Sequence, residues 1–259
     1  MSVALRRLFG RVDREGPPAH AQIEDRLAEA ITGGDLKPGD RLPPERELAE
    51  SLGVSRMTLR QALDSLERRG MLSRARGRRG GTFIALPKIE RDLTRMAGLT
   101  DQLRRQGHQA GAQVLSAREG PCGRRTAEAL GLSSGDPVFE VIRLRLSDGE
   151  PIALERSLFP AVRFPGLLET QLDGSLYAVL EERYRDPPVR AVERLEPVIA
   201  DPVQADALGI RQGAPLLLVE RTAYDATGLA IEFARDFFRG DRTRVLVESR
   251  FSGGREPTG

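Results

Sequence analysis

The stretch GVSRMTLRQALDSLERRGML, from Gly53 to Leu72, restricts the fold more than any other part of the chain. Leu59, Leu63 and Leu66 recur at the i, i+4, i+7 spacing of a buried helical face, with Ala62 beside them. Arg56, Arg60 and Gln61 therefore point away from that face. An apolar stripe on so basic a helix needs neighbours to cover it, and the upstream sequence supplies two. In HAQIEDRLAEAITGGDLKPGDRL, Ile23, Leu27, Ala30 and Ile31 share one helical face, which ends at Gly33-Gly34, where left-handed backbone is accessible. PPERELAESLG starts on two prolines, carries Glu45 and Glu47 in its first turn and stops at Gly53. Ser55 is placed to cap the helix that begins at Arg56, leaving Gly53-Val54 as the turn between two helices. The pattern predicts a helix-turn-helix whose second helix is basic.

After this helix, MLSRARGRRGGTFIALP turns on Gly77 to Gly81 before the β-prone Thr82-Phe83-Ile84, which predicts a two-stranded hairpin with an arginine-rich tip, a wing. GRRGGT is not a phosphate-cradling P-loop: it lacks the lysine, the spacing and a following helix. Net charge is only +2 over 259 residues, yet residues 54–80 hold eight arginines against Asp64 and Glu67, the distribution expected for a polyanion partner. Ser55, Arg56, Met57, Thr58 and Arg60, near the N-terminus of the basic helix, are placed to enter the major groove of DNA. An arginine there can bridge guanine O6 and N7 or hold a phosphate, and the sequence leaves the choice open. Arg46 on the preceding helix and Arg76, Gly77, Arg78 and Arg79 on the wing complete the predicted DNA-binding set, gripping flanking phosphates or the minor groove.

Over Ala19 to Ala85 the sequence resembles the winged helix-turn-helix of the GntR family of bacterial transcriptional regulators. PGDRLP, ERELA, GVSR-x-T-x-R and the wing G…GTF stand in order at that family's spacing. The resemblance implies DNA contacts at Arg46, Arg56, Thr58, Arg60 and Gly77. Two departures are Pro44 in place of the usual small capping residue and a wing tip one residue longer than common.

Beyond LPKIERDLTR, a polar connector with a proline, strand-like segments dominate: AQVLSARE, PVFEVIRLRLSDGEPIALERSLF, VRAVERLEPVIA, PLLLVERTAYDATGLAIEFARDFF and RVLVESRF. Asp148-Gly149 and Thr227-Gly228 read as hairpin turns, and helices are expected at residues 100–106, 124–130, 176–184 and 203–208. From about Leu93 to Phe251 the chain resembles the effector-binding UTRA domain of the HutC subgroup, which is similar in fold to chorismate lyase. RLRLSDGEPIALERSLFP, GSLYAVL and IEFARDFFRGDR carry the match. That resemblance implies that Arg143 and Arg145 hold the anionic group of a small metabolite. Their i, i+2 spacing on a strand suits a fork around phosphate or carboxylate, the alternative being a solvated sheet face paired with acids. By the same resemblance Glu155 and Glu232 bond ligand hydroxyls or else are surface carboxylates. Ser175 and Tyr177 line the pocket, Ser175 also being placed to cap a helix, and Thr100 lies on the phosphate side. Phe238 stands where several sugar-phosphate sensors carry tyrosine, so one hydroxyl contact is missing.

The expected fold class is α+β: an N-terminal winged helix-turn-helix followed by a mainly antiparallel chorismate-lyase-like domain. The expected division is a flexible arm over 1–17, the DNA-binding domain over 18–86, a linker over 87–95, an effector-binding and dimerisation domain over 96–252 and a tail over 253–259. A single cysteine, Cys122, and two histidines, His20 and His108, exclude a disulfide within the chain and a multi-cysteine metal site, and no cofactor or metal is expected. No apolar run reaches the roughly 18 residues of a membrane span, and MSVALRRLFGR lacks a signal-peptide core, so a cytoplasmic protein with no membrane partner is expected. The sequence reads as a homodimeric, ligand-responsive regulator, a repressor of an inverted-repeat DNA operator released by an anionic metabolite such as a phosphorylated sugar. The alternative is a small-acid lyase-like enzyme working through the second domain, for which no general-base histidine, metal cluster or activated nucleophile is visible.

Overall fold

The apolar stripe of the basic helix ends up as the centre of a three-helix core. A computed structural model of the chain describes residues 11–13, 15–75, 80–94 and 97–248. These fall into two compact units, Met1–Lys88 with Ile199–Pro215, and Ile89–Val198 with Leu216–Gly259.

In the first unit, α1 (Ala19–Thr32), α2 (Glu45–Leu52) and α3 (Arg56–Arg68) enclose Ile23, Leu27, Leu48, Leu52, Leu59, Ala62, Leu63 and Leu66, all buried. Burying each such leucine stabilises the fold by roughly 1.5–3 kcal/mol relative to leaving it exposed, which is why this face and no other turns inward. Gly53 ends α2 in the left-handed region at φ 69°, a conformation that a residue with a Cβ adopts only at a cost. Ser55 Oγ accepts the Thr58 N–H at 3.1 Å and caps α3 as expected, whereas Pro44 at the start of α2 offers no side-chain cap. β1 (Leu72–Ala75) and β2 (Gly81–Ile84) pair antiparallel and form the wing.

The second unit begins with β3 (Ile89–Asp92), so the stretch read as a connector contains a strand. Ile89 and Arg91 face inward there while Glu90 and Asp92 do not, and four residues are too few for that alternation to show in sequence. β3 pairs in parallel with β10 (Thr243–Leu246). On its other side it meets not a strand but two glutamines. Gln102, on α4 (Leu99–Arg105), accepts the Asp92 N–H at 3.2 Å and donates to the Asp92 carbonyl at 3.1 Å. Gln106, just past α4, does the same to Glu90 at 2.9 and 2.7 Å. Two primary amides thus complete the strand's hydrogen bonding where a further strand would.

The main sheet has six strands in the order β4-β5-β6-β9-β8-β7. They are β4 (Ala110–Pro121), β5 (Pro137–Ser147), β6 (Glu150–Pro160), β7 (Arg190–Ile199), β8 (Pro215–Tyr224) and β9 (Ala230–Arg239). The pairs β4·β5, β5·β6, β6·β9 and β8·β9 are antiparallel. Asp148 and Gly149 turn β5 into β6 with φ of 53° and 83°, the two positive values that a tight primed hairpin turn requires. Helices α5 (Arg124–Leu130), α6 (Leu176–Tyr184) and α7 (Pro202–Leu208) occur where expected, and α7, with residues 199–215, groups with the first unit. Phe139, Phe159, Phe164, Leu167 and Leu180 pack α6 against one end of the sheet, which fixes the position of the residues at the start of that helix.

Candidate functional site

Two sites were expected, and each lies within one unit. On the first, Arg56 and Met57 stand exposed at the N-terminus of α3, Met57 at 72% of its surface. An unbranched apolar side chain so exposed at a basic helix start is suited to base edges and the thymine methyl. Ser55 and Thr58 bond each other through their hydroxyls at 2.9 Å. Arg60 Nε donates to Glu45 at 2.7 Å, and Arg46 meets Glu50 at 3.4 Å, so both arginines hold carboxylates. These pairs are solvent-exposed and therefore weak, and a phosphate displaces such a carboxylate readily. The wing-tip calls Arg76, Gly77, Arg78 and Arg79 lie outside the described residues.

On the second unit, the hairpin register sets charged residues in a row across three strands. Arg143 on β5 is opposite Glu155 on β6, which is opposite Asp236 on β9. Glu155 is buried and accepts from both arginines: from Arg143 Nε at 2.7 Å and Nη2, and from Arg145 Nη1 at 3.4 Å. Arg143 spends its Nη1 on the carbonyls of Leu172 and Gly174, at 2.9 and 2.8 Å. Arg145 Nη2 donates to Thr100 Oγ1 at 2.7 Å, while its buried Nε has no partner. Arg143 is thus nearly saturated and acts as a strut, and Arg145 keeps a donor in reserve. The solvated-face alternative for this pair fails on burial, since each arginine exposes only 2% of its surface.

Glu232 is buried too, so neither glutamate is a surface carboxylate. It accepts the Tyr177 hydroxyl at 2.8 Å and Arg221 Nε at 3.3 Å. Arg221 also reaches Asp236 at 3.2 Å and Glu193 at 3.6 Å. Ser175 Oγ accepts the Ala178 N–H at 3.3 Å as the cap of α6 and still borders the cleft. Thr100, Arg143, Arg145, Glu155, Ser175, Tyr177 and Glu232 therefore line one cleft, with about 30 Å³ of open space, room for about two waters. Phe238 is the exception among the expected effector residues. It is 1% exposed in the core with Ile89, Leu99, Leu103, Ile152 and Val219, and does not itself line the cleft, which it borders from behind Leu99 and Arg91, the Arg91 guanidinium lying 5.1 Å from the ring centre.

Burial alone would raise the Glu155 pKa, but Arg143 and Arg145 hold it down to about 2. Asp236 goes the other way: burial, with Glu155 and Glu232 as like charges, outweighs Arg221 and pushes it up to about 7.

Arg91, Arg221 and Asp236 also line the cleft and were not singled out from sequence. A signal existed for two of them. Arg221 shares its strand parity with Val219 and Ala223, and Asp236 shares its own with Ala234 and Phe238, so each is a charge on an apolar face. Among the described residues there is no group of His, Cys, Asp and Glu arranged to hold a metal, and no helix is long and apolar enough to cross a membrane.

Comparison with known proteins identifies the family of each part of the chain. Residues 19–84 match the bacterial regulatory proteins of the gntR family, and residues 105–244 match the UTRA domain. The HTH-type transcriptional repressor NagR of Bacillus subtilis (strain 168) is 37% identical over 233 residues, covering 89% of this chain and 95% of NagR. The histidine utilization repressor of Pseudomonas putida is 32% identical over 240 residues, covering 92% and 94%. The crystal structure of PhnF from Mycobacterium smegmatis superposes with a TM-score of 0.63 at 33% identity, covering 90% of this chain and 99% of PhnF. These relatives are regulators and not enzymes, which sets aside the lyase alternative. A basic recognition helix joined in one chain to a sheet domain with a buried arginine cleft, matched along nine-tenths of its length, makes this protein a member of the GntR family with a UTRA domain, a ligand-responsive transcriptional repressor.

Proposed function

We propose that the repressor acts in the cytoplasm as a homodimer on an inverted-repeat operator and is released when an anionic metabolite enters the cleft of the second unit. The unpartnered Nε of Arg145, buried beside Thr100, carries this reading, because a donor kept dry and unbonded is costly unless a ligand completes it. Glu155, Glu232 and Tyr177 supply acceptors and a hydroxyl for the polar remainder of such a ligand. Two reading heads related by a two-fold axis match two half-sites about one helical turn apart, or closer if overlapped. The edge strands β4 and β7 expose Val114, Leu115, Val192 and Leu195, apolar surface that a second copy can cover.

The test is Arg145→Ala. Loss of its charge-assisted bonds should weaken effector binding about ten- to a hundred-fold while operator binding survives, giving an uninducible repressor. Calorimetry with the effector, alongside release from operator DNA, reads both effects, and unchanged effector affinity would place the anion elsewhere.

Asp236 makes binding pH-dependent. Its native pKa of about 7 lies above the ordinary aspartate value, so protonation proceeds as pH falls from 8 to 6 and removes one negative charge from the cleft. Affinity for an effector carrying a sulfate ester, whose charge is constant, should rise up to about tenfold over that range. Asp236→Asn should remove the slope and bind at the acid limit throughout. A wild-type profile flat between pH 6 and 8 contradicts the assignment.

A further inference from the structure

Four arginines line the cleft, and three of them have carboxylate partners. Arg143 and Arg145 share Glu155, and Arg221 meets Glu193, Glu232 and Asp236. Arg91 has none within 4 Å among the described residues. It is 3% exposed, and its Nε and Nη1 make no hydrogen bond. A buried cation left this way is costly, and a fold that needed only packing would place an apolar residue there.

Arg91 also belongs to a different end of the site from Arg145. With Tyr177 and Arg221 it borders a second, larger cleft of about 220 Å³, which Thr100, Arg143 and Arg145 do not line. The charges that act most on Arg91 are those of Arg221, Glu193 and Asp236, whereas those acting most on Arg145 are Glu155, Arg143 and Asp236. The charge of Asp236 acts on both arginines, and Glu232 and Tyr177 line the same cleft and offer partners for hydroxyls. The ring of Phe238 supports the Arg91 guanidinium from one side, which holds a planar donor fork in place without using its N–H groups.

We propose that Arg91 binds a second acidic group of the effector, so that the ligand is a two-ended anion: one acid held by Arg145 and Thr100, the other by Arg91, with a hydroxylated chain between. This assignment rests on the anion-binding reading of the cleft given above. A phosphorylated sugar acid has that chemistry. Phe238, which stands where a hydroxyl was expected, then serves the effector indirectly as the platform for Arg91.

Two probes isolate the second acid: 6-phosphogluconate, and glucitol 6-phosphate, which differs from it by a hydroxymethyl in place of the carboxylate. The wild-type protein should bind 6-phosphogluconate at least tenfold more tightly. Arg91→Gln should erase that preference and leave glucitol 6-phosphate binding within twofold of wild type, and Arg91→Lys should restore the preference only in part because it keeps the charge and loses the fork. Arg145→Ala should weaken both probes alike. The melting temperature of unliganded Arg91→Gln should equal or exceed that of wild type, which also shows that the variant folds. Equal wild-type affinity for the two probes, including binding of neither, overturns the proposal, as does an Arg91→Gln protein that keeps the preference or melts lower while keeping it. If Arg91→Gln erases the preference but Arg145→Ala leaves both affinities unchanged, Arg91 stands and the Arg145 reading falls.

Discussion

Glu155→Gln is expected to destabilise the second unit by about 3 kcal/mol, because it leaves the buried guanidinium groups of Arg143 and Arg145 without their shared counter-charge. At this chain length that corresponds to a fall in melting temperature of roughly 6–12 °C. Millimolar phosphate should recover part of the loss, since an anion that occupies the native cleft but not the unfolded chain raises apparent stability. The pH dependence has a defined sign. The native Glu155 pKa of about 2 lies below its ordinary value of 4.5, so its contribution is fully present above pH 4.5 and is lost as pH falls toward 2. The glutamine variant should lack that acid-side component. Calorimetric melts of both proteins across this range check it, and a variant as stable as wild type without phosphate would mean that the arginines find water or carbonyl partners instead.

Replacing Arg56 and Arg60 together by alanine should lower affinity for a specific operator by roughly a hundredfold, the loss expected when two arginines at the start of a recognition helix are removed. Folding should be intact, because both side chains are exposed and the stripe of Leu59, Leu63 and Leu66 is untouched. Arg60 separates from Arg56 in one respect: it must first leave Glu45, so Glu45→Gln should strengthen binding to any DNA sequence slightly. Gel-shift titrations at fixed salt measure the effect, and operator binding within threefold of wild type would reject α3 as the reading element.

The first unit was legible in the sequence because its information is local. Ser55, Gly53 and the leucine stripe each state their role within a few residues of themselves, and the helices, caps and hairpin fall where those signals put them. In the second unit the hairpin turn at Asp148-Gly149 announced the pairing of β5 with β6, but its register alone would set Arg143 opposite Leu154; a shift between Arg145 and Leu146 brings Arg143 opposite Glu155 instead. The neighbours contributed from a distance were not legible. Arg91 sits on a four-residue strand made by pairing with a segment about 150 residues later, and no window around residue 91 contains that partner. Arg221 and Asp236 carried a weaker signal, a charge on the apolar parity of a strand, which tells of burial without telling what it faces. Phe238 shows the limit of reasoning by position: the residue is where the resemblance placed it, yet its ring belongs to the core.

The two glutamines that fasten α4 to β3 give the cleft a mechanical output. Four hydrogen bonds of amide to peptide, made by side chains one helical turn apart, resist both sliding and rotation, so the helix and the strand behave as one stiff splint. Thr100 rides on one arm of that splint, and the other arm begins at Ile89, the residue directly after the end of the DNA-binding part of the chain. If effector binding moves Thr100, these bonds link that movement to β3, whose first residue, Ile89, is joined covalently to Lys88.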